Sequence, residues 1–192
     1  DQRNNRAYIK KNSAGKSLLN LFSYTGGFSV AAGMGGAKSV CSVDIAKPAS
    51  DYCDKNWLEN SLNKSSHKAV ADNVFDYLDQ ANEAAVKFDM VVCDPPSFSN
   101  NEKGKEKAIA SYVDVFSRAL SCVKKDGELF LSSCSSHISY EDFFTIAEES
   151  LALKKRIGKV VFMGAQGEDH TYPVAFKKMQ YLKFLHIRLL DS

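Results

Sequence analysis

Short apolar runs recur along the chain: "SLLNLF" (Ser17 to Phe22), "SVCSVD" (Ser39 to Asp44), "KAVAD" (Lys68 to Asp72), "FDMVVCD" (Phe88 to Asp94) and "ELFLSSC" (Glu128 to Cys134). Each reads as a buried strand, and the stretches between them carry helical periodicity. In "AIASYVDVFSRALSCV", Ile109, Tyr112, Val113, Phe116, Ala119, Leu120 and Val123 fall on one stripe, and Lys124, Lys125 and Gly127 supply the stop. A further helix is expected from Ser139, with Asp142 at near capping-box spacing and Phe143, Ile146 and Ala147 facing inward. Strand and helix in alternation predict an α/β fold, a mostly parallel sheet with helices on both faces. Beyond that point "KVVFMG" (Lys159 to Gly164) and "YLKFLHIRLL" (Tyr181 to Leu190) read as two strands joined by a polar loop. Without a crossover helix between them, the last of seven strands must run antiparallel to its neighbour.

A chain of 192 residues with 44% hydrophobic content can bury a full core, which predicts one domain over residues 1–192. Its formal charge of +2, from 25 basic and 23 acidic residues, gives no whole-molecule pull toward a polyanion, so nucleic acid would need a local patch. No apolar run is long enough to span a bilayer and no signal segment stands at the start, which makes a cytoplasmic protein without membrane contact the expectation. Five cysteines, without C-x-x-C pairs, argue against a disulfide framework and against a zinc site, so reduced thiols and no metal are expected. The first residue is Asp1 rather than Met, which leaves room for a segment upstream.

In an open parallel sheet, ligands bind beyond the carboxyl ends of the strands. After the first strand comes "SYTGGFS", where Gly26 and Gly27 permit a tight turn and the next helix aims its N-terminus at the same spot. The pattern is not G-x-G-x-x-G, so the dinucleotide fingerprint is absent. Asp44 closes the second strand at the separation suited to ribose hydroxyls, which serves a nicotinamide cofactor and S-adenosylmethionine equally. Asp72 and Asn73 close the third, where a carboxylate and a backbone amide could read an adenine edge, although Asp72 could instead cap the helix that follows. Together these strand ends favour an adenosine-bearing cofactor. The fourth strand ends in "DPPSFSNN", where Pro95 and Pro96 stiffen the exit and hold Asp94 toward the crevice. The polar, locally basic run Asn100 to Lys107 suits a lid or a phosphate-contacting loop. Cys134 ends the fifth strand with two serines on each side, either as core packing or as a displayed nucleophile.

"DQRNNR", "LNLFSYTGGFS", "SVDIA", "ADNVFDYL", "DPPSFSN" and "SSCSS" resemble, in consistent order from Asp1 to about Ser136, the bacterial 23S ribosomal RNA 5-methylcytosine methyltransferases of the RlmI class. A parallel sheet that ends in an antiparallel strand likewise resembles the Rossmann-like class I methyltransferases. The resemblance implies S-adenosylmethionine as methyl donor, with Phe22 and Ser23, Tyr24, Thr25, Gly26 and Gly27 at its amino acid moiety, Asp44 at the ribose and Asp72 with Asn73 at the adenine. It places Gln2, Arg3 or Arg6 near the cofactor carboxylate or the RNA, a sensible use of a bidentate guanidinium. It also implies Cys134 as the thiolate that adds to carbon 6 of cytosine, Asp94 as a hydrogen-bonding partner at the ring's nitrogen edge, and a base flipped out of its stack against Pro95, Pro96 and Phe98. The other cysteines, Cys41, Cys53, Cys93 and Cys122, fall inside strand or helix patterns and read as packing.

Three other readings stand beside it. "DPPSF" is similar to the signature of amino-methylating enzymes and to the related guanine-N2 enzymes, in which Phe98 would stack on the base and no cysteine is needed. A non-catalytic RNA-binding domain and a nicotinamide dehydrogenase fit the motifs less well. Members of the RlmI class carry an N-terminal RNA-binding module of the PUA type with no counterpart in residues 1–192, so RNA is held either by such a module outside the chain or by another surface.

Overall fold

In the computed structural model, which describes residues 1–98, 104–176 and 179–190, helices and strands alternate as expected. A helix α1 (Arg3–Asn12) precedes the sheet. Then follow β1 (Ser17–Leu21), α2 (Gly27–Met34), β2 (Ser39–Asp44), α3 (Lys47–Glu59), β3 (His67–Ala71), α4 (Val74–Glu83), β4 (Phe88–Cys93), α5 (Lys105–Ser121), β5 (Val123–Ser133), α6 (Tyr140–Leu153), β6 (Gly158–Gly164) and β7 (Lys183–Leu189). The seven strands form one sheet in the order β3-β2-β1-β4-β5-β7-β6. From β3 through β5 the pairings are parallel, and β7 runs antiparallel to both β5 and β6.

Adjacent residues of the inner strands feed two different cores, which is why their sequences are apolar throughout rather than alternating. Leu19, Leu21, Val91, Leu129 and Leu131 face α4, α5 and α6, where Leu78, Tyr112, Phe116 and Phe143 meet them. Leu18, Met90, Val92 and Phe130 face the other way, onto Ile9 of α1, Phe28 and Ala32 of α2, and Trp57 of α3.

Local signals hold at several element ends. Ser139 caps α6, accepting from Asp142 N while the Asp142 side chain accepts from Ser139 N at 2.8 Å, a reciprocal box. The cap of α4 is Asn73, whose side chain accepts from Phe75 N at 2.8 Å, and Asp72 instead accepts from Asn73 N. One boundary differs from the sequence expectation. Helix α5 ends at Ser121, and Lys124 and Lys125 lie inside β5 rather than past the helix as a stop. The extra length is accommodated by a register shift against β4 between Phe88 and Met90, with Asp126 at φ 55. Of the basic run Asn100 to Lys107, residues 100–103 lie outside the described residues, and Gly104 with the lysines after it opens α5. Among the described residues, no helix is long and apolar enough to cross a membrane.

Candidate functional site

The carboxyl ends of β1, β2, β4 and β5 border a cleft of about 410 Å³, lined by Phe22, Tyr24, Asp44 and Ile45 at the β1 and β2 exits, by Asp94, Pro95, Pro96 and Cys134 at the β4 and β5 exits, and by Asp1 and Gln2 ahead of α1. Smaller hollows lie away from these strand ends, among them an apolar one of about 390 Å³ between α6 and the β6–β7 edge and one of about 230 Å³ lined by Lys16, Lys38, Asp89, Lys124 and Glu128, whose charges pair with one another.

The turn from β1 into α2 is held in an unusual backbone shape. Phe22 (φ 57), Tyr24 (φ 47) and Gly26 (φ 82) all adopt left-handed conformations, and two of the three carry a side chain that disfavours it. What fixes the turn is visible in its partners. Tyr24 N donates to Asp44 Oδ2 at 2.8 Å, Ala46 N donates to Asp44 Oδ1 at 2.9 Å, Ser23 N donates to Val43 O at 3.0 Å, and Asn56 Nδ2 donates to Thr25 O at 2.9 Å. A Cβ on Gly26 would stand 2.3 Å from Cys53 Sγ, so glycine is required there twice over, for its φ and for space. Ser23 Oγ is buried and has no hydrogen-bonding partner among the described residues.

On the opposite wall, Asp94 follows β4 directly. Gln2 Nε2 donates to Asp94 Oδ1 at 3.0 Å and to Ser132 Oγ at 2.7 Å, and Gln2 Oε1 accepts from Asn5 Nδ2 at 2.7 Å. Burial pushes the Asp94 carboxyl above its ordinary range, against the opposing pull of Ser132, Gln2 and the Arg6 guanidinium. Cys134 is half-buried at the end of β5, whereas the other four cysteines are buried, as their places in strand and helix patterns predict. Burial first, and the Asp94 charge second, push the Cys134 thiol up, while Lys183 pulls it down.

Several sequence-predicted residues meet at the cleft: Gln2, Phe22, Tyr24, Asp44, Asp94, Pro95, Pro96 and Cys134. Ser23, Thr25, Gly26 and Gly27 form the turn behind it, and the Arg6 side chain lies against Gly27, whose Cβ would stand 3.1 Å from Arg6 Cδ. Asp72 is joined to the site through Asp72 N, which donates to Asp44 O at 3.0 Å, but both of its neighbour's groups are engaged locally: the Asn73 amide serves Asp72 and its side chain serves Phe75. Two residues stand elsewhere. Arg3 is exposed on another side of α1, beside Gly167 and Asp169, because it lies one residue, about 100° of helix rotation, past Gln2, whereas Gln2 and Arg6 stand one turn apart on the same face. Phe98 turns back onto α5, edge-on to Tyr112 with ring centroids 4.8 Å apart, and packs against the core.

Ser132, Tyr112 and Lys183 are site-supporting residues that pattern reading passes over. Ser133 Oγ donates to the Tyr112 hydroxyl at 3.0 Å, which ties the end of β5 to α5. The sequence does contain a signal for Lys183: a lysine standing inside the apolar run "YLKFLHI".

A family model described as S-adenosylmethionine-dependent methyltransferase matches residues 1–153. Relatives include a ribosomal RNA large subunit methyltransferase of Deinococcus radiodurans, 32% identical over 189 residues that make up 98% of this chain and 46% of the relative. A ribosomal RNA large subunit methyltransferase I of Aeromonas salmonicida is 34% identical over 98% of this chain and 48% of its own length. Among solved structures, a methyltransferase crystallised in complex with SAH superposes with a TM-score of 0.88 at 30% identity, covering 98% of this chain and 49% of that one. The chain thus spans about half the length of the curated relatives it matches.

Proposed function

Because the chain belongs to the S-adenosylmethionine-dependent methyltransferase family, we propose that it methylates carbon 5 of a cytosine in 23S ribosomal RNA, with Cys134 as the nucleophile, in the cytoplasm where that RNA is assembled. The observation that carries this reading is that the Cys134 thiol and the Asp94 carboxyl share one cleft with Tyr24 and Asp44.

The residues at the β1 and β2 exits suit S-adenosylmethionine. An orphaned, buried hydroxyl at Ser23 sits within a turn that Gly26 keeps open. Ser23, Tyr24, Thr25, Gly26 and Gly27, with Phe22 beside them, would hold the amino acid moiety at the N-terminus of α2. Asp44 would take the ribose, and Asp72 with Asn73 the adenine. When bound, the cofactor supplies a methyl group made electrophilic by its sulfonium.

The chain's own groups prepare the base to accept it. Carbon 5 of cytosine is a weak nucleophile until electrons are pushed into the ring. Attack by the Cys134 sulfur forms a bond to carbon 6 and leaves the former double-bond pair available at carbon 5. Asp94, held protonated more readily by burial, donates at the nitrogen edge and absorbs the charge that develops there. Gln2 fixes the rotamer of Asp94 from the other side. Loss of the carbon 5 proton to a base then restores the aromatic ring as the carbon–sulfur bond breaks and the sulfur recovers its electron pair.

Cys134 favours cytosine over guanine N2, because the guanine reading needs no thiol and this one stands in the cleft beside Asp94. The test is to incubate the protein and its Cys134→Ala variant with unmodified ribosomal RNA and labelled S-adenosylmethionine, then digest the RNA and identify the methylated nucleoside. Labelled 5-methylcytosine that is lost in the variant is expected. Methylguanosine formed equally by both proteins would overturn the reading.

A further inference from the structure

Lys183 opens β7 and stands opposite Ser133 across the β5–β7 ladder. It is 2% exposed. Lysine is almost never this deep without a group that needs its charge or its proton. Its Nζ donates to Tyr181 O at 2.7 Å and to Ser135 O. Ser133 and Ser135 bracket Cys134, so the amine is anchored beside the one half-exposed thiol of the chain. Both acceptors are neutral carbonyls, and neither balances a positive charge. A neutral amine has two N–H groups and one lone pair, so these two bonds leave the lone pair as the position at which a proton can come and go.

We infer that Lys183 is the proton partner of Cys134: its neutral amine accepts the thiol proton, and the buried ammonium that results holds the thiolate ready for attack. The S–H bond breaks and leaves its electron pair on sulfur, while the nitrogen lone pair forms the new N–H bond, so the pair carries no net charge before or after. The inference rests on the reading of Cys134 as nucleophile and supplies what that reading needs, an acceptor for its proton. Lys183 acts through Cys134 and is a positioning residue. Burial lowers it to about 8, which keeps a useful share of the amine neutral near physiological pH, with Cys134 and Asp142 pulling the other way. The ionisable groups around the pair are Asp142 of α6, itself bridged to Lys105 at 2.8 Å, and, on the far side of the thiol, Asp94 after β4 and Tyr112 of α5.

The test is the pH dependence of Cys134 alkylation by iodoacetamide, followed by peptide mass spectrometry on the folded protein. Lys183→Met is expected to move the midpoint up by about one pH unit or more and to slow alkylation at pH 7.5 by about tenfold. An unchanged profile in a folded Lys183→Met protein overturns the inference. Should that variant not fold, Cys134→Ala with isotope-labelled lysine replaces it: removing the thiol is expected to lower the Lys183 titration midpoint seen by NMR, and an unmoved midpoint is equally fatal. The two readings fail separately. A Cys134→Ala protein that still forms 5-methylcytosine sinks the nucleophile whatever the alkylation profile. Loss of 5-methylcytosine in that variant, beside an alkylation profile indifferent to Lys183, sinks only the proton partner.

Discussion

Gln2 and Asp94 lie 92 positions apart in the chain and share a hydrogen bond of 3.0 Å, which makes the residue ahead of α1 part of the β4 exit. The same amide group also holds Ser132 of β5 at 2.7 Å, so one side chain sets the spacing between the two strand ends that present Asp94 and Cys134. Replacing it with Gln2→Leu removes the amide's hydrogen bonds to Asp94, Ser132 and Asn5 at once. The expected cost is about 1–3 kcal/mol in denaturant unfolding. Because Gln2 favours the ionised carboxylate, its loss raises Asp94 further, and the basic limb of the kcat/KM profile is expected to move to higher pH as the maximum falls. A profile that falls without shifting would separate Gln2 from Asp94.

Asp44 spends both carboxylate oxygens on the backbone of its surroundings, Tyr24 N and Ala46 N. Asp44→Ala frees these donors and relaxes a turn that contains two strained non-glycine residues. Calorimetry is expected to show S-adenosylmethionine binding weakened at least about tenfold, or roughly 1.4 kcal/mol, with the far-UV spectrum unchanged. Binding at wild-type strength would mean that the turn keeps its shape without the carboxylate.

Gly26→Ala introduces a methyl group in a left-handed backbone and against Cys53 Sγ. The backbone alone is expected to cost about 1–2 kcal/mol, and the contact adds to it. Cys53→Ala removes the sulfur, so the double variant should recover the contact portion and retain the backbone portion. In a double-mutant cycle this appears as a favourable coupling. Strict additivity would show that the sulfur moves aside freely.

His186 is fully buried, stacked on Phe130 at 4.3 Å and bonded through Nδ1 to the Tyr8 hydroxyl at 2.9 Å. Its Nε2 has no hydrogen-bonding partner among the described residues and lies 3.8 Å from Glu128 Oε1. That approach would reward a charged ring, yet desolvation prevails and lowers the pKa to about 4. The folded state therefore holds a neutral imidazole, while the unfolded chain takes up a proton below its ordinary 6.5. The stability due to this residue is present above pH 6.5 and is lost as pH falls toward 4, by an amount on the order of 3 kcal/mol. Urea midpoints measured across that window should fall in the wild type and fall less in His186→Gln.

The sheet was legible because its strands announce themselves by short apolar runs, and the antiparallel turn of the last strand followed from the missing crossover. Its position between β5 and β6 was not legible, since nothing in "KVVFMG" distinguishes an edge strand from an inner one. The site divides in the same way. Asp44, Asp94 and Cys134 sit immediately after their runs, so topology alone delivers them to one cleft. The helical phase of α1, by contrast, decides that Gln2 and Arg6 face the site and Arg3 does not, and that phase depends on tertiary packing. The motif expects Phe98 at the substrate, while its edge-on packing against Tyr112 is set by tertiary structure that the motif does not carry.

The placement of β7 has a consequence for biosynthesis. A strand that is hydrogen-bonded on both sides cannot be added to a finished sheet from outside without opening it. Until residues 183–189 have left the ribosome, the nascent chain holds β5 with one unpaired edge and β6 with nothing to attach to. Completion of this sheet therefore waits on β7, which predicts late closure and a window in which the bare β5 edge is exposed to chaperones or to other chains.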